Sequence, residues 1–161
     1  MLQEKNYPNG TSTNYGYNEE GYLTELIHRD SEGILDSYVY EYDNMGNKVK
    51  VEKTRRDLEE SGIYGYDYDL LGRLTKVEKD GEIQRTYEYD VFGNRTRKTE
   101  GAKETQYVYN ELNQLIKKEG IEEAEEYRYD KRGNLSKIIG NEEVTSYEFD
   151  VMGRMTKAIT P

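Results

Sequence analysis

A unit of about 20 residues, which recurs seven times, constrains the fold of this 161-residue chain more than any other feature. Each copy has two aromatic residues separated by one residue, then Asp or Asn, and then Gly or Asn three positions later. The second aromatic residues are Tyr17, Tyr42, Tyr68, Tyr89, Tyr109, Tyr129 and Phe149, with spacings of 25, 26, 21, 20, 20 and 20 residues. Self-similarity at a fixed period is typical of repeat architectures, so the unit is interpreted first as architecture.

The residues after the second aromatic position predict a tight turn. In the central copy they are Asp90-Val91-Phe92-Gly93, followed by Asn94. An Asp side chain at the start of a turn accepts a hydrogen bond from the backbone two residues on. Asn113 replaces the glycine in one copy, and Asn is the residue other than Gly that best tolerates positive φ. We therefore predict a type I turn followed by a left-handed residue in a G1 bulge.

The residues on both sides of the turn predict strands. Before it, Tyr87 and Tyr89 fall on one face of a strand and Glu88 on the other. After it, short polar stretches such as "RLTKVEK" end in hairpin signals such as Asp80-Gly81. These signals predict an all-β fold, an antiparallel meander of about seven tandem β-hairpins with about fourteen strands in a curled sheet. We expect a single domain over residues 1–161.

The two faces of this sheet are predicted to differ. On one face, acidic residues between the aromatics would pair with bases of the following strand; the acids are Glu41, Asp67, Glu88 and Glu148, and the bases include Lys50, Lys76, Arg97 and Lys157. The other face would hold the tyrosines together with the Leu or Met that follows the turn, at Leu74, Leu115, Leu135 and Met155.

Composition narrows the function further. A net charge of −10 argues against nucleic acid or an anionic membrane surface as a partner. No apolar stretch approaches the length of a membrane helix, and the first ten residues lack the apolar segment of a signal peptide. The 34% hydrophobic content would suit a disordered chain, but 17 tyrosines in a regular pattern favour an ordered sheet with little aliphatic core.

No residue pattern indicates catalysis, a cofactor or a metal. His28 is the sole histidine and the chain has no cysteine, which removes the usual pairs of nucleophile and base. The acidic residues follow the repeat, so none stands out as a catalytic pair. The turn lacks the ligand spacing of an EF-hand and the nine-residue period of calcium-binding β-rolls. We expect no enzyme activity and no catalytic, cofactor-binding or metal site.

The repeated unit resembles the YD repeat of the Rhs family. The resemblance is close in "YEYDNMGN" from Tyr40, "YDYDLLGRLTKV" from Tyr66, "YEYDVFGNRTRK" from Tyr87 and "YRYDKRGNLSKI" from Tyr127, and it covers Asn14 to Ile159. The residues that carry this structural motif are Tyr40, Tyr42, Asp43, Gly46, Asn47, Tyr66, Tyr68, Asp69, Gly72, Tyr87, Tyr89, Asp90, Gly93, Asn94, Tyr127, Tyr129, Asp130, Gly133, Asn134, Tyr147, Phe149, Asp150 and Gly153.

The resemblance implies a structural function. The family includes bacterial Rhs polymorphic toxins, wall-associated proteins, toxin-complex subunits and animal teneurins. Its repeats wind into a hollow β-shell, which in the toxins encloses a C-terminal effector domain. The chain lacks the family's autocleavage motif, because the last copy, "DVMGRM", is an ordinary repeat. We expect a fragment of such a shell from a secreted or surface-associated bacterial protein. Its expected partners are the remainder of the shell and an enclosed effector.

Two further expectations concern binding. Exposed strand edges or an exposed aromatic face would favour self-association. As an alternative function, surface tyrosines of the repeats would bind carbohydrate or a cell wall.

Overall fold

The computed structural model describes residues 1–57 and 60–161, which form β-strands joined by turns. The strands are β1 Glu4–Asn6, β2 Ser12–Tyr17, β3 Leu23–Asp30, β4 Gly33–Tyr42, β5 Lys48–Arg55, β6 Gly62–Tyr68, β7 Leu74–Lys79, β8 Glu82–Tyr89, β9 Arg95–Glu100, β10 Lys103–Tyr109, β11 Leu115–Gly120, β12 Ala124–Tyr129, β13 Leu135–Ile139, β14 Val144–Phe149 and β15 Met155–Ile159.

The strands follow one another through an antiparallel sheet in the order of the sequence, so the all-β meander is confirmed. The described residues form fifteen strands, where about fourteen were predicted. The additional strand is β1, which precedes the first copy and pairs with β2 through Lys5 opposite Thr13.

The chain divides into two compact units, Met1–Arg85 and Thr86–Pro161. The first unit contains β1 to β7 and the second contains β9 to β15, while β8 begins in the first and ends in the second. Among the described residues, Val51 at 8% and Thr13 at 1% exposure are the buried side chains, which confirms the small core. Backbone hydrogen bonding between strands therefore carries much of the stability.

The predicted turn geometry is confirmed in every copy. In the second copy, the amide of Gly46 donates to the carbonyl of Asp43 at 3.0 Å, and the amide of Asp43 donates to the carbonyl of Asn47 at 2.9 Å. Gly46 has φ of +83° and Asn113 has φ of +57°, so both occupy the left-handed region. This combination is the type I turn with a G1 bulge.

A second bulge, which the sequence pattern does not predict, follows the turn in these hairpins. Tyr42 lies opposite Lys48, yet Glu41 lies opposite Lys50, so Val49 is an extra residue in β5. The same register shift occurs opposite Tyr17, Tyr68, Tyr109, Tyr129 and Phe149. Bulges bend a strand and increase its local twist, so the twist is reinforced once in each of these repeats.

Small hydroxyl residues occupy several of the extra positions and bond back to the facing strand. The hydroxyls donate to the carbonyl of the residue before the second aromatic position, in the pairs Thr75 to Asp67, Ser136 to Arg128 and Thr156 to Glu148, at 3.1, 3.0 and 3.1 Å. These bonds hold the bulged residue against its neighbour.

The predicted pairs of acid and base are confirmed on the face opposite the tyrosines. The carboxylate-to-cation distances are 2.7 Å for Glu41–Lys50, 2.7 Å for Asp67–Lys76, 3.1 Å for Glu88–Arg97 and 3.6 Å for Glu148–Lys157. Leu74, Leu115, Leu135 and Met155 lie directly opposite the second aromatic residues and therefore share their face. Exposed pairs of this kind contribute roughly 0.2–1 kcal/mol each and chiefly specify register.

Candidate functional site

In four repeats the second tyrosine of the motif is bonded to the repeat before it. The hydroxyl of Tyr42 donates to the carbonyl of Leu23 at 2.7 Å, where Leu23 begins the return strand of the preceding copy. The same bond links Tyr68 to Lys48, Tyr109 to Arg95 and Tyr129 to Leu115, at 2.9, 3.0 and 2.9 Å. The motif tyrosines therefore form a ladder of bonds between repeats, in addition to packing. Partial burial raises the pKa of each of these four hydroxyls.

Sequence reasoning assigned these tyrosines only to the packed face. A signal was present, because six of the seven copies have Tyr at this position and Phe149 is the exception. A position that required only an aromatic ring would not need the hydroxyl. Phe149 lacks the donor, so the last repeat is held to its predecessor without this bond.

The first tyrosines of the motif, Tyr40, Tyr66, Tyr87, Tyr127 and Tyr147, alternate with outward residues along their strands and share the face of the second tyrosines. Their hydroxyls behave differently from one another. Tyr127 donates a short hydrogen bond to the carboxylate of Glu125. Burial, together with this bond, raises the pKa of the Tyr127 phenol. Among the residues that the structure describes, Tyr40 forms no ladder bond, and its pKa is raised chiefly by burial.

The motif aspartate is the organising acceptor of the turn. One carboxylate oxygen of Asp43 accepts from the amides of Met45 and Asn47, and the other accepts from the Asn47 side chain at 2.9 Å. These bonds favour the charged form and lower the pKa of Asp43, with the Asn47 side chain as the largest cause. The same bonds and the same lowered pKa recur at Asp69, Asp90, Asp130 and Asp150, with Arg in place of Asn as the side-chain donor at Asp69 and Asp150.

Neighbouring turns of the second unit are also bonded to each other. The side-chain amide of Asn94 donates to the Asn113 side chain at 2.9 Å, and that of Gln114 donates to the carbonyl of Gly133 at 3.3 Å. Asn113 therefore does more than tolerate positive φ, since its side chain accepts a bond that a glycine could not accept. The sequence predicted the conformation of Asn113 but not this contact.

The two central residues of the turns expose apolar side chains. In the first unit Leu70 is 95% and Leu71 is 74% exposed, and in the second unit Val91 is 89% and Phe92 is 75% exposed. Exposed apolar residues at a regular position are unusual on a free surface and mark sites of contact when they are contiguous.

A polar row crosses β2, β3 and β4 on the tyrosine face, and it includes His28. The Thr13 hydroxyl lies 2.8 Å from His28 Nδ1, and His28 Nε2 lies 3.8 Å from Asp36 Oδ1. The order of hydroxyl, imidazole and carboxylate is that of a hydrolase triad. Thr13 is only 1% exposed, however, so its hydroxyl is not accessible to a substrate in this structure. Sequence reasoning missed the row because its members are brought together by register alone.

Cationic side chains lie over tyrosine rings on the same face. Lys48 Nζ is 4.1 Å from the centre of the Tyr40 ring, and Lys79 Nζ is 5.6 Å from that of Tyr64. In the second unit the Arg95 guanidinium lies 5.7 Å from Tyr87 and 4.7 Å from Tyr107. The tyrosine face is thus a polar, cation-bearing surface, whereas the sequence had indicated tyrosine with Leu or Met.

Among residues 1–57 and 60–161, no group of three or more His, Cys, Asp or Glu side chains is placed to hold a metal ion. A search of the same residues for a helix long and apolar enough to cross a membrane also found none.

The fold of this chain is similar to that of several solved structures. The chain superposes on the Photorhabdus luminescens Tc holotoxin pore with a TM-score of 0.76 and 19% identity, over 99% of this chain and 10% of that one. It matches TcdB2-TccC3 with a TM-score of 0.70 and 15% identity over 91% of this chain and 9% of that one. It also matches TcdB2-TccC3 without its hypervariable C-terminal region, with a TM-score of 0.72 and 16% identity, over 94% of this chain and 9% of that one. The chain therefore spans about a tenth of the length of these solved chains.

Comparison with protein sequences gives the family. No curated protein sequence matches the chain significantly. The family model described as Teneurin YD-shell matches residues 41–161, which is most of the chain and includes six of the seven repeats. The repeat geometry agrees with that match, since each matched copy contains the turn with a left-handed fourth residue. The chain belongs to the Teneurin YD-shell family.

Proposed function

We propose that this chain is a non-catalytic wall segment of a β-shell, in a secreted or surface-associated bacterial protein of the Rhs or wall-associated type. In this proposal the tyrosine face lies against an enclosed C-terminal effector domain, and the face with the acid–base pairs is exposed to solvent. The observation that carries it is the ladder of tyrosine hydroxyl bonds between repeats, since these bonds serve to join one repeat to the next. One solved relative is TcdB2-TccC3 without its hypervariable C-terminal region, and the existence of such a region in that protein supports a C-terminal effector of variable sequence here.

A labelling experiment tests the orientation of the wall. The chain contains no cysteine, so single thiols can be introduced at adjacent positions of β10. Thr105 lies two residues before Tyr107 in the same strand and therefore shares the tyrosine face. Gln106 points to the other face, where it lies opposite Arg97. In the full-length protein, we expect a bulky maleimide to modify Gln106→Cys at least tenfold faster than Thr105→Cys. Denatured protein is the control, in which both thiols react equally.

Equal rates in the folded full-length protein would contradict the proposal. The alternative, a carbohydrate-binding module, predicts instead that tyrosine side chains stay accessible and bind sugars. A glycan array separates the two functions. Saturable binding that is lost on substitution of tyrosines on one face, with the fold intact, would favour the alternative.

The proposal also includes self-association of the chain when it is prepared alone. β1 and β15 end the strand order, and all residues of both strands are exposed. Unpaired strand edges recruit further strands, and in the full protein neighbouring segments of the shell would cover them.

A further inference from the structure

Charge is distributed unequally between the two faces of β4 to β7. On the tyrosine face these strands carry four cations, Lys48, Lys53, Arg55 and Lys79, and one carboxylate, Asp36. On the opposite face the same strands carry four carboxylates, Glu41, Glu52, Asp67 and Glu78, and two lysines, Lys50 and Lys76. The tyrosine face is therefore positive although the whole chain has a net charge of −10.

Two of the four cations, Lys48 and Lys79, form no direct ion pair among the described residues, although Lys79 interacts electrostatically with Glu60 at longer range. Lys53 is 2.7 Å from Glu60, and Arg55 is 3.1 Å from Asp57. Lys48 and Lys79 make contact with tyrosine rings instead of carboxylates within the part of the chain that the structure describes. A lysine held over a ring keeps its charge and is already positioned, so it can bind an anion with little further ordering.

We propose that this Tyr–Lys face, formed by Tyr38, Tyr40, Tyr64, Lys48, Lys53 and Lys79, binds an extended acidic segment of polypeptide. The inference rests on the proposed function, in which the face looks onto an enclosed polypeptide. Lys48 and Lys79 stand on β5 and β7, two strands apart, so about 10 Å or more separates them. One carboxylate cannot reach both. An extended chain that carries several carboxylates, in contrast, can contact both lysines at once.

The negative charge elsewhere on the protein does not prevent such binding. At physiological salt, interactions between exposed charges are screened beyond about 8 Å, so an approaching carboxylate responds mainly to the charges of this face. The tyrosine rings beside each lysine provide contact surface for the backbone and side chains of the segment. Charge complementarity thus selects an acidic segment over a neutral or basic one.

The test uses the 161-residue chain and three fluorescent 12-residue peptides in which Gly alternates with Glu, Gln or Lys. Binding is measured by fluorescence anisotropy at low and high salt. We expect the Glu peptide to bind at least tenfold more tightly than the other two, and its affinity to fall as salt rises. This comparison needs no variant, so it remains decisive even if a substitution impairs folding.

Matched variants then locate the site. Lys48→Gln with Lys79→Gln should weaken binding of the Glu peptide at least tenfold, and Lys→Arg at both positions should restore it. Lys50→Gln with Lys76→Gln removes the same charge from the same two strands on the opposite face and should leave binding unchanged.

The inference would be overturned by equal binding of the Glu and Gln peptides, by equal loss in both pairs of variants, or by binding of a sulfated oligosaccharide without binding of the Glu peptide. Absence of peptide binding, together with a protected thiol at Thr105→Cys, would refute this inference while leaving the wall function in place.

Discussion

The ladder of tyrosine hydroxyls predicts a difference between two tyrosines of the same repeat. Tyr42 donates its hydroxyl to the carbonyl of Leu23, whereas the hydroxyl of Tyr40 makes no hydrogen bond among the described residues. Tyr→Phe removes only the hydroxyl and keeps the ring, including the stacking of Tyr42 on Tyr22 at 5.0 Å. Comparing Tyr42→Phe with Tyr40→Phe therefore isolates the hydrogen bond.

The expected magnitude follows from the net free energy of one hydrogen bond. Losing it should lower the free energy of unfolding by about 1 kcal/mol, and the Tyr40 variant should stay within about 0.5 kcal/mol of the parent. If Tyr42, Tyr68, Tyr109 and Tyr129 are all changed, the loss should approach about 4 kcal/mol, because the bonds lie in separate repeats.

Urea denaturation followed by circular dichroism measures the effect. With a slope of roughly 1–3 kcal/mol per molar urea, a loss of about 1 kcal/mol lowers the midpoint by roughly 0.3–1 M. The reverse change supplies a gain-of-function control, because Phe149→Tyr would place a hydroxyl near the carbonyl of Leu135, in the geometry of the other repeats. It should stabilise the chain by up to about 1 kcal/mol. Equal effects of Tyr40→Phe and Tyr42→Phe would refute the role assigned to the ladder.

Three further predictions concern the turns and the strand edges. Gly93→Val forces a β-branched residue to φ near +90° and should lower the free energy of unfolding by about 2 kcal/mol or more. Asn113→Gly keeps the backbone conformation but loses one exposed hydrogen bond, so it should lower the free energy of unfolding by less than about 1 kcal/mol. Equal tolerance of the two changes in urea denaturation would contradict the left-handed assignment. Because the pKa of Asp43 is lowered in the folded protein, its contribution to stability is complete above the unfolded pKa of about 3.9 and is lost as pH falls through the lower folded pKa. Between about pH 5 and 2, the free energy of unfolding should therefore fall less steeply in Asp43→Asn than in the parent chain. An unchanged slope would exclude this linkage. Light scattering of the isolated chain should show association that grows with concentration, and a strict monomer would argue against open strand edges.

The sequence predicted most of the fold because each repeat contains the residues that determine its own strands and turn. Alternating tyrosines specify one face, Asp and Gly at fixed positions specify the turn, and Asn113 in place of Gly identifies the left-handed residue. Such signals are local, so they survive without knowledge of the rest of the chain. The confirmed register of Glu41 with Lys50 follows from the same alternation.

What the sequence did not predict depends on how each strand is placed against its neighbours in the sheet. The extra position holds Val49 in one repeat and a hydroxyl residue such as Thr75 in others, and Val and Thr are both common in regular strands, so residue type alone does not identify the bulge. The hydrogen bond from Tyr42 to Leu23 joins two repeats. In the sequence, the one indication of such a bond is that Tyr occupies this position in every copy except the last, which has Phe149. The row of Thr13, His28 and Asp36 exists because register places three unrelated positions side by side.

An electron cryomicroscopy structure of the full-length protein in which this chain occurs would test whether the chain is a wall segment of a β-shell. We expect the strands to form part of a continuous wall, with Tyr40 and Tyr42 facing an interior that contains polypeptide and with Glu41 and Lys50 facing solvent. A wall with the tyrosine face turned to solvent, or repeats that are not joined into a wall, would contradict this expectation.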